Sequence, residues 1–172
     1  MVIKLNIRQT EMTQDILDLI DNGRPSAYAI IEGIDDISGT ASFYEYDQGL
    51  LLLYEIKNLP VARGCRGGVF GLHIHEGGSC SGYYNEPFAG TGTHLNTDNC
   101  MHPYHLGDLP SVYGKNGTAW ALIYLDKLNT EDIINRTLVL HQRPDDYSNQ
   151  ASGNSGNKIA CGKIQRYLIQ PR

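Results

Sequence analysis

Residues 69–76 read VFGLHIHE, and the interpretation of the whole chain starts from this stretch. Its apolar residues favour a β-strand, because β-branched and aromatic side chains fit a pleated, half-buried surface. Side chains two residues apart in a strand project from the same face, so His73 and His75 lie side by side. Two imidazoles on one rigid face suit copper, which favours nitrogen ligands. Taken alone, a His-x-His pair is more often structural or incidental.

Short runs of the same β-favouring type recur on both sides of this stretch. The predicted strands cover residues 27–32, 40–46, 50–56, 69–75, 118–125, 137–141 and 162–169. Many short strands without alternating helices indicate an antiparallel sandwich or barrel. Residues 76–112 and 142–160 are too long to be hairpin turns, and long loops in a compact domain are usually functional. Each begins just beyond a histidine-bearing strand.

The first 26 residues have a different pattern. Alternating apolar residues predict a short strand over residues 3–7. Thr13 is then the predicted N-cap of a helix that ends before Gly23. One face of this helix is apolar at the spacing i, i+3, i+4 and consists of Ile16, Leu19 and Ile20. We therefore divide the chain into an N-terminal extension with a short helix, residues 1–26, and one domain, residues 27–172.

Composition and charge exclude several classes of function. The chain has 172 residues and a net charge of −5, without a basic stretch, which argues against a nucleic-acid partner. No run of about 18 apolar residues predicts a membrane span. The first residues lack an apolar block followed by a small-residue cleavage site. We therefore expect a cytoplasmic protein, or an extracytoplasmic one if a leader has been removed.

The other histidines complete a pattern suited to two metals. His102, His105 and Asp108 follow one another at intervals of three, in a loop that also carries His94. Three imidazoles and a carboxylate can form a tetrahedral zinc site. His141 ends the strand before the second long loop. Each histidine alone fits an ordinary surface or core position, but none of the six is left over, so the joint pattern is much stronger.

Five motifs resemble those of a known family. They are GLHIHE (71–76), GTHLN (92–96), HPYHLGDLP (102–110), LVLH (138–141) and GNKIACG (156–162). In this order they resemble the motifs of copper/zinc superoxide dismutases in their bacterial form, over roughly residues 27–164. The resemblance implies an all-β fold, a Greek-key antiparallel β-barrel or sandwich, with two long functional loops that build a site outside the barrel.

The resemblance also implies an activity, two cofactors and their ligands. The activity is that of an oxidoreductase that converts superoxide to dioxygen and hydrogen peroxide by cycling copper between two oxidation states, with zinc as a structural metal. The implied copper ligands are His73, His75, His94 and His141. The implied zinc ligands are His94, His102, His105 and Asp108. Because His94 belongs to both sets, it would bridge the metals as imidazolate and relay a proton.

Outer residues of the site and a disulfide follow from the same resemblance. Asp145 matches an aspartate that hydrogen-bonds one copper and one zinc ligand and so fixes their orientation; the alternative is a solvated loop residue. Cys80 and Cys161 match the family's intrasubunit disulfide. This bond would close roughly 80 residues, for which the chain-entropy model gives about 4 kcal/mol. We expect Cys65 and Cys100 to form a second disulfide, with reduced thiols as the alternative.

The sequence departs from the family inside the active site. Lys158 stands where the family has an arginine beside copper, so the positive charge is kept but the planar donor fork is lost. The expected partner is superoxide, a small anion, and we expect neither a nucleic-acid nor a membrane partner. The sequence does not decide between a monomer and a homodimer. Two alternatives also remain: a copper/zinc-binding protein on the same scaffold with little or no dismutase activity, and a β-sandwich whose histidines only hold its loops.

Overall fold

The computed structural model describes residues 7–61, 64 and 67–168, and strands dominate this part of the chain. The strands are β1 (Ala27–Gly33), β2 (Ser38–Tyr46), β3 (Gly49–Lys57), β4 (Val69–Phe70), β5 (Leu72–His75), β6 (Val112–Tyr113), β7 (Thr118–Leu125), β8 (Thr137–His141) and β9 (Lys158–Arg166). The α-helices are α1 (Ile7–Asn22) and α2 (Thr130–Ile133). Within the described ranges, neither helix has the length and hydropathy needed to cross a membrane.

The strands form a curled antiparallel sheet with Greek-key connections, which confirms the predicted fold class. Seven strands pair in the order β5–β8–β9–β1–β2–β3–β7, and β4 pairs with β6 in a separate ribbon. The hairpin-connected strands β1, β2 and β3 are adjacent, and β9 returns to lie beside β1. Three consecutive strands with a distant fourth beside the first define a Greek key.

Helix α1 begins earlier than predicted. It starts at Ile7, so Thr13 lies inside the helix and the prediction that Thr13 is its N-cap is wrong. The six residues before Thr13 contain no glycine or proline, so nothing in the sequence stops the helix from extending towards the N-terminus. The strand predicted over residues 3–7 lies outside the described residues, apart from Ile7, which is helical.

Two of the strand predictions need correction near the site. The run 69–75 is broken at Gly71, where the chain passes from the β4–β6 ribbon into the main sheet. Gly71 donates to the carbonyl of Arg143, beyond the end of β8, and accepts from the N–H of His141, the last residue of β8. The last strand begins at Lys158 rather than at Gly162 and ends at Arg166. Its first residues pair with β8 and β1, so hydrogen bonding across the sheet decides where it starts.

The two long loops are slightly shorter than predicted. Val112 is not in the first loop but in the short strand β6, which pairs with β4. The second loop ends at Asn157, where β9 begins. A two-residue strand has too few residues to show an alternation, so sequence patterning does not reveal it.

The alternation of β5 places the histidines outside the barrel. Leu72 and Ile74 are part of the hydrophobic core. Because neighbouring side chains in a strand point to opposite faces, His73 and His75 project away from that core. They are nevertheless buried, at 0% and 2% exposed, because the long loops cover them. β8 alternates in the same way and ends at His141, which is also buried.

The predicted disulfide between Cys80 and Cys161 is confirmed. It joins the first long loop to β9 and therefore fixes part of that loop to the sheet. Cys100 is exposed and carries a free thiol. Cys65, its predicted partner, lies outside the described residues.

We expect Cys80→Ser to lower the free energy of unfolding of the metal-free protein by about 4 kcal/mol, because the disulfide closes a loop with a sequence separation of 81. For a domain of this size, this corresponds to a fall in Tm of about 8–16 °C. Calorimetry should compare this variant with Cys100→Ser, which removes an exposed thiol and should shift Tm by about 2 °C or less. If the two variants have the same Tm, the disulfide does not stabilise the fold.

Candidate metal centre

The first long loop reaches the histidines of β5 because its backbone pairs with that strand. Ile74 accepts a hydrogen bond from the backbone N–H of Leu95 and donates one to the carbonyl of Gly107, both at 2.8 Å. A Cβ at Gly107 would lie 2.1 Å from the Ile74 carbonyl oxygen, so only glycine permits this approach. The pairing positions His94 and Asp108, the immediate neighbours of these loop residues, against the outer face of β5.

Four buried imidazoles form the first of two side-chain groups. Their ligand atoms lie within 4.8 Å of one another, and the group consists of His73, His75, His94 and His141. Nδ1 of His75 faces the carbonyl oxygen of Gly92 at 3.0 Å, and Nδ1 of His141 faces that of Gly156 at 3.1 Å. A carbonyl only accepts hydrogen bonds, so both Nδ1 atoms donate and both Nε2 atoms carry lone pairs.

The two lone pairs of this group face each other. Nε2 of His75 and Nε2 of His141 are 3.2 Å apart. With both Nδ1 atoms protonated, neither Nε2 can donate to the other, so the contact is repulsive until a cation lies between the rings. His73 adds a third lone pair, because its Nε2 faces Asp145 Oδ2 at 2.7 Å and donates, which leaves Nδ1 unprotonated.

The second group surrounds the carboxylate of Asp108 and consists of His94, His102, His105 and Asp108. Asp108 Oδ1 lies 2.7 Å from Nδ1 of His94. Asp108 Oδ2 lies 3.0 Å from Nδ1 of His102 and 3.4 Å from Nδ1 of His105, in both cases without hydrogen-bonding geometry. His102 donates through Nε2 to Asp145 at 2.9 Å, so its Nδ1 is a lone pair directed at an anion.

His94 belongs to both groups. Its Nδ1 contacts the carboxylate of the second group, while its Nε2 is buried with no hydrogen-bond partner among the described residues. The two nitrogens of one imidazole lie on opposite sides of the ring, so a single side chain can serve two neighbouring cations. No other residue is common to both groups as the structure describes them.

Burial favours the neutral form of three imidazoles of the first group, His73, His75 and His141. Burial, followed by the charge of His94, lowers the pKa of His73 and of His75 to about 2. Burial also lowers the pKa of His141 to about 4. For Asp108, burial would raise the pKa, but the hydrogen bond with His94 and the neighbouring histidines lower it on balance. Metal ligands must be neutral imidazoles and ionised carboxylates, and these shifts favour those forms for His73, His75, His141 and Asp108 at neutral pH.

Unpartnered nitrogen atoms show that the residues fit two cations. Four buried ring nitrogens have no hydrogen-bond partner in the described part of the chain: Nδ1 of His73, Nε2 of His94, Nδ1 of His102 and Nδ1 of His105. Leaving a buried polar atom without a partner costs about 1–3 kcal/mol, so four such atoms in one cluster indicate ligands. Four imidazoles suit copper, and three imidazoles with one carboxylate suit zinc.

Lys158 lies beside the first group, where the sequence resemblance places it. Its ammonium donates to the carbonyl oxygen of Gly92 at 2.9 Å, and the same oxygen accepts from His75. Burial lowers the pKa of Lys158, and the negative charge of Glu86 opposes this shift. Lys158 and Glu86 both line a cleft of about 330 Å³. The cleft also includes Asn85, Pro87, Gln142, Gly156 and Asn157.

Sequence reasoning missed two residues that hold the second loop against the site. Gln150 forms a reciprocal pair with the backbone of His102, at 2.9 and 2.8 Å. Gly153 adopts a positive φ of 59° and packs so closely that a Cβ would lie 1.7 Å from Asp145 Oδ1. The only signal in the sequence is the density of glycine and polar residues in this loop, which indicates turns but no contact.

The fold and the site define a β-barrel metalloprotein in which two metal-binding groups share one imidazole. Residues 37–164 match the family model for copper/zinc superoxide dismutase. The chain belongs to the copper/zinc superoxide dismutase family, whose cofactors are copper and zinc. Its metal-binding loops and its disulfide fall within the matched range, whereas the central strand β1 precedes it.

Known relatives include dismutases and copper chaperones. The chain is 33% identical over 132 residues to a Cu-Zn superoxide dismutase of Legionella pneumophila, covering 74% of this chain and 77% of that protein. It is 31% identical over 155 residues to the copper chaperone for superoxide dismutase of Rattus norvegicus, covering 82% of this chain but only 53% of the chaperone. A solved Cu/Zn superoxide dismutase from Brucella abortus superimposes with a TM-score of 0.69 at 25% identity, over 81% of this chain and 99% of that one.

We expect Gly153→Ala to lower zinc affinity about 10–100-fold, because the added methyl group displaces Asp145 and His102, and residues that orient metal ligands have effects of this size. The matched control is Gly117→Ala. Gly117 also has a positive φ, of 80°, but its Cβ would meet nothing closer than 3.5 Å. Competition with a chromophoric chelator measures both affinities. If the two variants bind zinc equally well, the close packing of Gly153 against Asp145 does not determine zinc affinity.

Proposed function

We propose that this protein is a superoxide dismutase. The observation that carries the proposal is His94, whose two ring nitrogens face two different four-residue groups. A purely structural zinc site needs one closed set of ligands, with no second set sharing an imidazole. The shared imidazole therefore supports a redox centre coupled to a structural one, with His73, His75, His94 and His141 as copper ligands and His94, His102, His105 and Asp108 as zinc ligands.

The chemistry that copper supplies when bound is one-electron oxidation of one superoxide to dioxygen and one-electron reduction of another to hydrogen peroxide. Forming hydrogen peroxide requires protons, and His94 is placed to deliver one. Nε2 of His94 faces the copper group, so this nitrogen can hold a proton there and release it to the product. Nδ1 stays with the group around Asp108, which keeps the ring in one orientation while Nε2 exchanges its proton.

Lys158 is the residue that attracts the substrate in this proposal. The whole chain has a net charge of −5, so an anion is attracted only by a local positive region. Lys158 supplies that charge beside the copper group, with its ammonium fixed on the Gly92 carbonyl. Glu86 lines the same cleft and reduces the local positive potential. The balance of these two charges sets the rate at which superoxide enters.

The alternative function is a copper/zinc-binding protein with little or no turnover. It is favoured by the lysine at the family's arginine position and by the similarity to copper chaperones for superoxide dismutase. The complete set of six buried or nearly buried imidazoles argues against it, because transfer of copper alone does not need a shared ring.

The first test is superoxide decay with protein loaded with one copper and one zinc per chain. We expect activity from the loaded protein and none from the metal-free protein, with elemental analysis confirming the two metals. His141→Ala is the matched variant, because His141 belongs only to the first group. It should lose copper and activity while retaining zinc. A fully loaded native protein that does not consume superoxide would establish the binding-protein alternative instead.

The second test concerns Lys158. We expect Lys158→Arg to raise the rate modestly, because a guanidinium can bind the Gly92 carbonyl and still present donors to superoxide. Lys158→Glu should lower the rate about tenfold or more through loss of attraction. Increasing salt should slow the native enzyme, since the screening length is about 10 Å at 0.1 M.

The matched control for charge is Lys163→Glu, which changes the net charge equally. Lys163 lines a different hollow, beside the disulfide, so its substitution should change the rate little. All variants are compared at equal copper content. If Lys158→Glu and Lys163→Glu are equally fast, Lys158 does not guide the substrate.

A further inference from the structure

Asp145 connects the two groups of ligands, so whatever positions Asp145 positions both. Its carboxylate accepts from Nε2 of His73 at 2.7 Å and from Nε2 of His102 at 2.9 Å. It also accepts from the backbone N–H of Tyr147 at 2.7 Å. Asp145 is only 5% exposed, so a displacement of this carboxylate is not compensated by water and changes the orientation of both imidazoles.

The hydroxyl of Tyr147 is bound to Ser111, which lies at the end of the first long loop. It accepts from the backbone N–H of Ser111 at 2.9 Å and donates to the Ser111 hydroxyl at 3.0 Å. The Ser111 hydroxyl in turn accepts from the backbone N–H of Asp145 at 3.3 Å. Tyr147 and Ser111 therefore form a closed set of hydrogen bonds around the backbone of Asp145, and this set joins the two metal-binding loops.

The backbone of Tyr147 requires such an anchor. Tyr147 has a φ of 56°, in the left-handed region that non-glycine residues rarely adopt. This conformation directs the Tyr147 N–H at the Asp145 carboxylate. The ring is 45% exposed, so packing alone holds it weakly, and its two hydrogen bonds to Ser111 are the contacts that fix it.

We propose that Tyr147 and Ser111 act as one positioning pair that holds Asp145 in the orientation required for binding both metals. Through Asp145, the pair controls the direction of Nδ1 of His73 and of His102, the nitrogens left free to bind a cation. The inference rests on the proposed ligand roles of these histidines and is independent of whether the loaded protein turns over superoxide.

The test uses cobalt(II) as a probe of the zinc group and copper(II) as a probe of the first group. Tyr147→Phe removes one hydroxyl, and Ser111→Ala removes the other. We expect each variant to bind cobalt about tenfold more weakly than the native protein, since residues that orient ligands change affinity about 10–100-fold. The visible cobalt spectrum and the copper electron paramagnetic resonance spectrum should both change, because one carboxylate orients a ligand in each group.

The double variant and a control decide between positioning and simple loop stability. If the two residues act as one pair, the double variant binds cobalt no more weakly than either single variant. Tyr113→Phe removes the hydroxyl of a tyrosine that is 73% exposed, and it should match the native protein. The proposal is overturned if the single losses add, or if both variants lower the Tm of the metal-free protein while cobalt affinity and both spectra stay native.

Discussion

The structure depends on one constraint. Each buried imidazole has two ring nitrogens that need a partner, and the residues that the structure describes supply hydrogen-bond partners for only some of them. Asp145 and the Gly92 and Gly156 carbonyls fix one nitrogen on each of four rings. The opposite nitrogens then converge as lone pairs, with those of His75 and His141 only 3.2 Å apart. In water such rings would turn away from one another. Burial and the fixed partners prevent this, so the cluster gains stability when cations accept the lone pairs.

The barrel and the loops contribute differently to that constraint. Strand β5 fixes His73 and His75, because Leu72 and Ile74 pack in the core and hold the backbone that carries both rings. The loop ligands are fixed to the core at fewer points, through neighbours such as Leu95 and Leu109. They are held by backbone pairing with Ile74 and by the disulfide to β9. The first ligand set therefore combines three strand positions with the loop residue His94, whereas all four residues of the second set lie in the first long loop.

The sequence predicted the strands and the ligand groups well because both follow from short-range patterns. Alternation and turn residues placed most strands, and histidine spacing with motif order selected the seven side chains that the structure brings together. The features that the sequence did not predict have a different cause. The break at Gly71, the start of β9 and the contact of Gln150 with His102 depend on partners far along the chain. Such partners leave no periodic signal in one sequence.

Metal binding and loop order are linked as a consequence. One ligand of the first group and all four of the second come from the first long loop, so the free energy of binding a cation is also free energy that orders that loop. Asp145 makes the linkage mutual, because it contacts one imidazole of each group. A cation that fixes His102 holds Asp145 in place, and Asp145 then holds His73 ready for the second cation. The geometry therefore couples the orientation of the two ligand groups through Asp145, in addition to the His94 ring that they share.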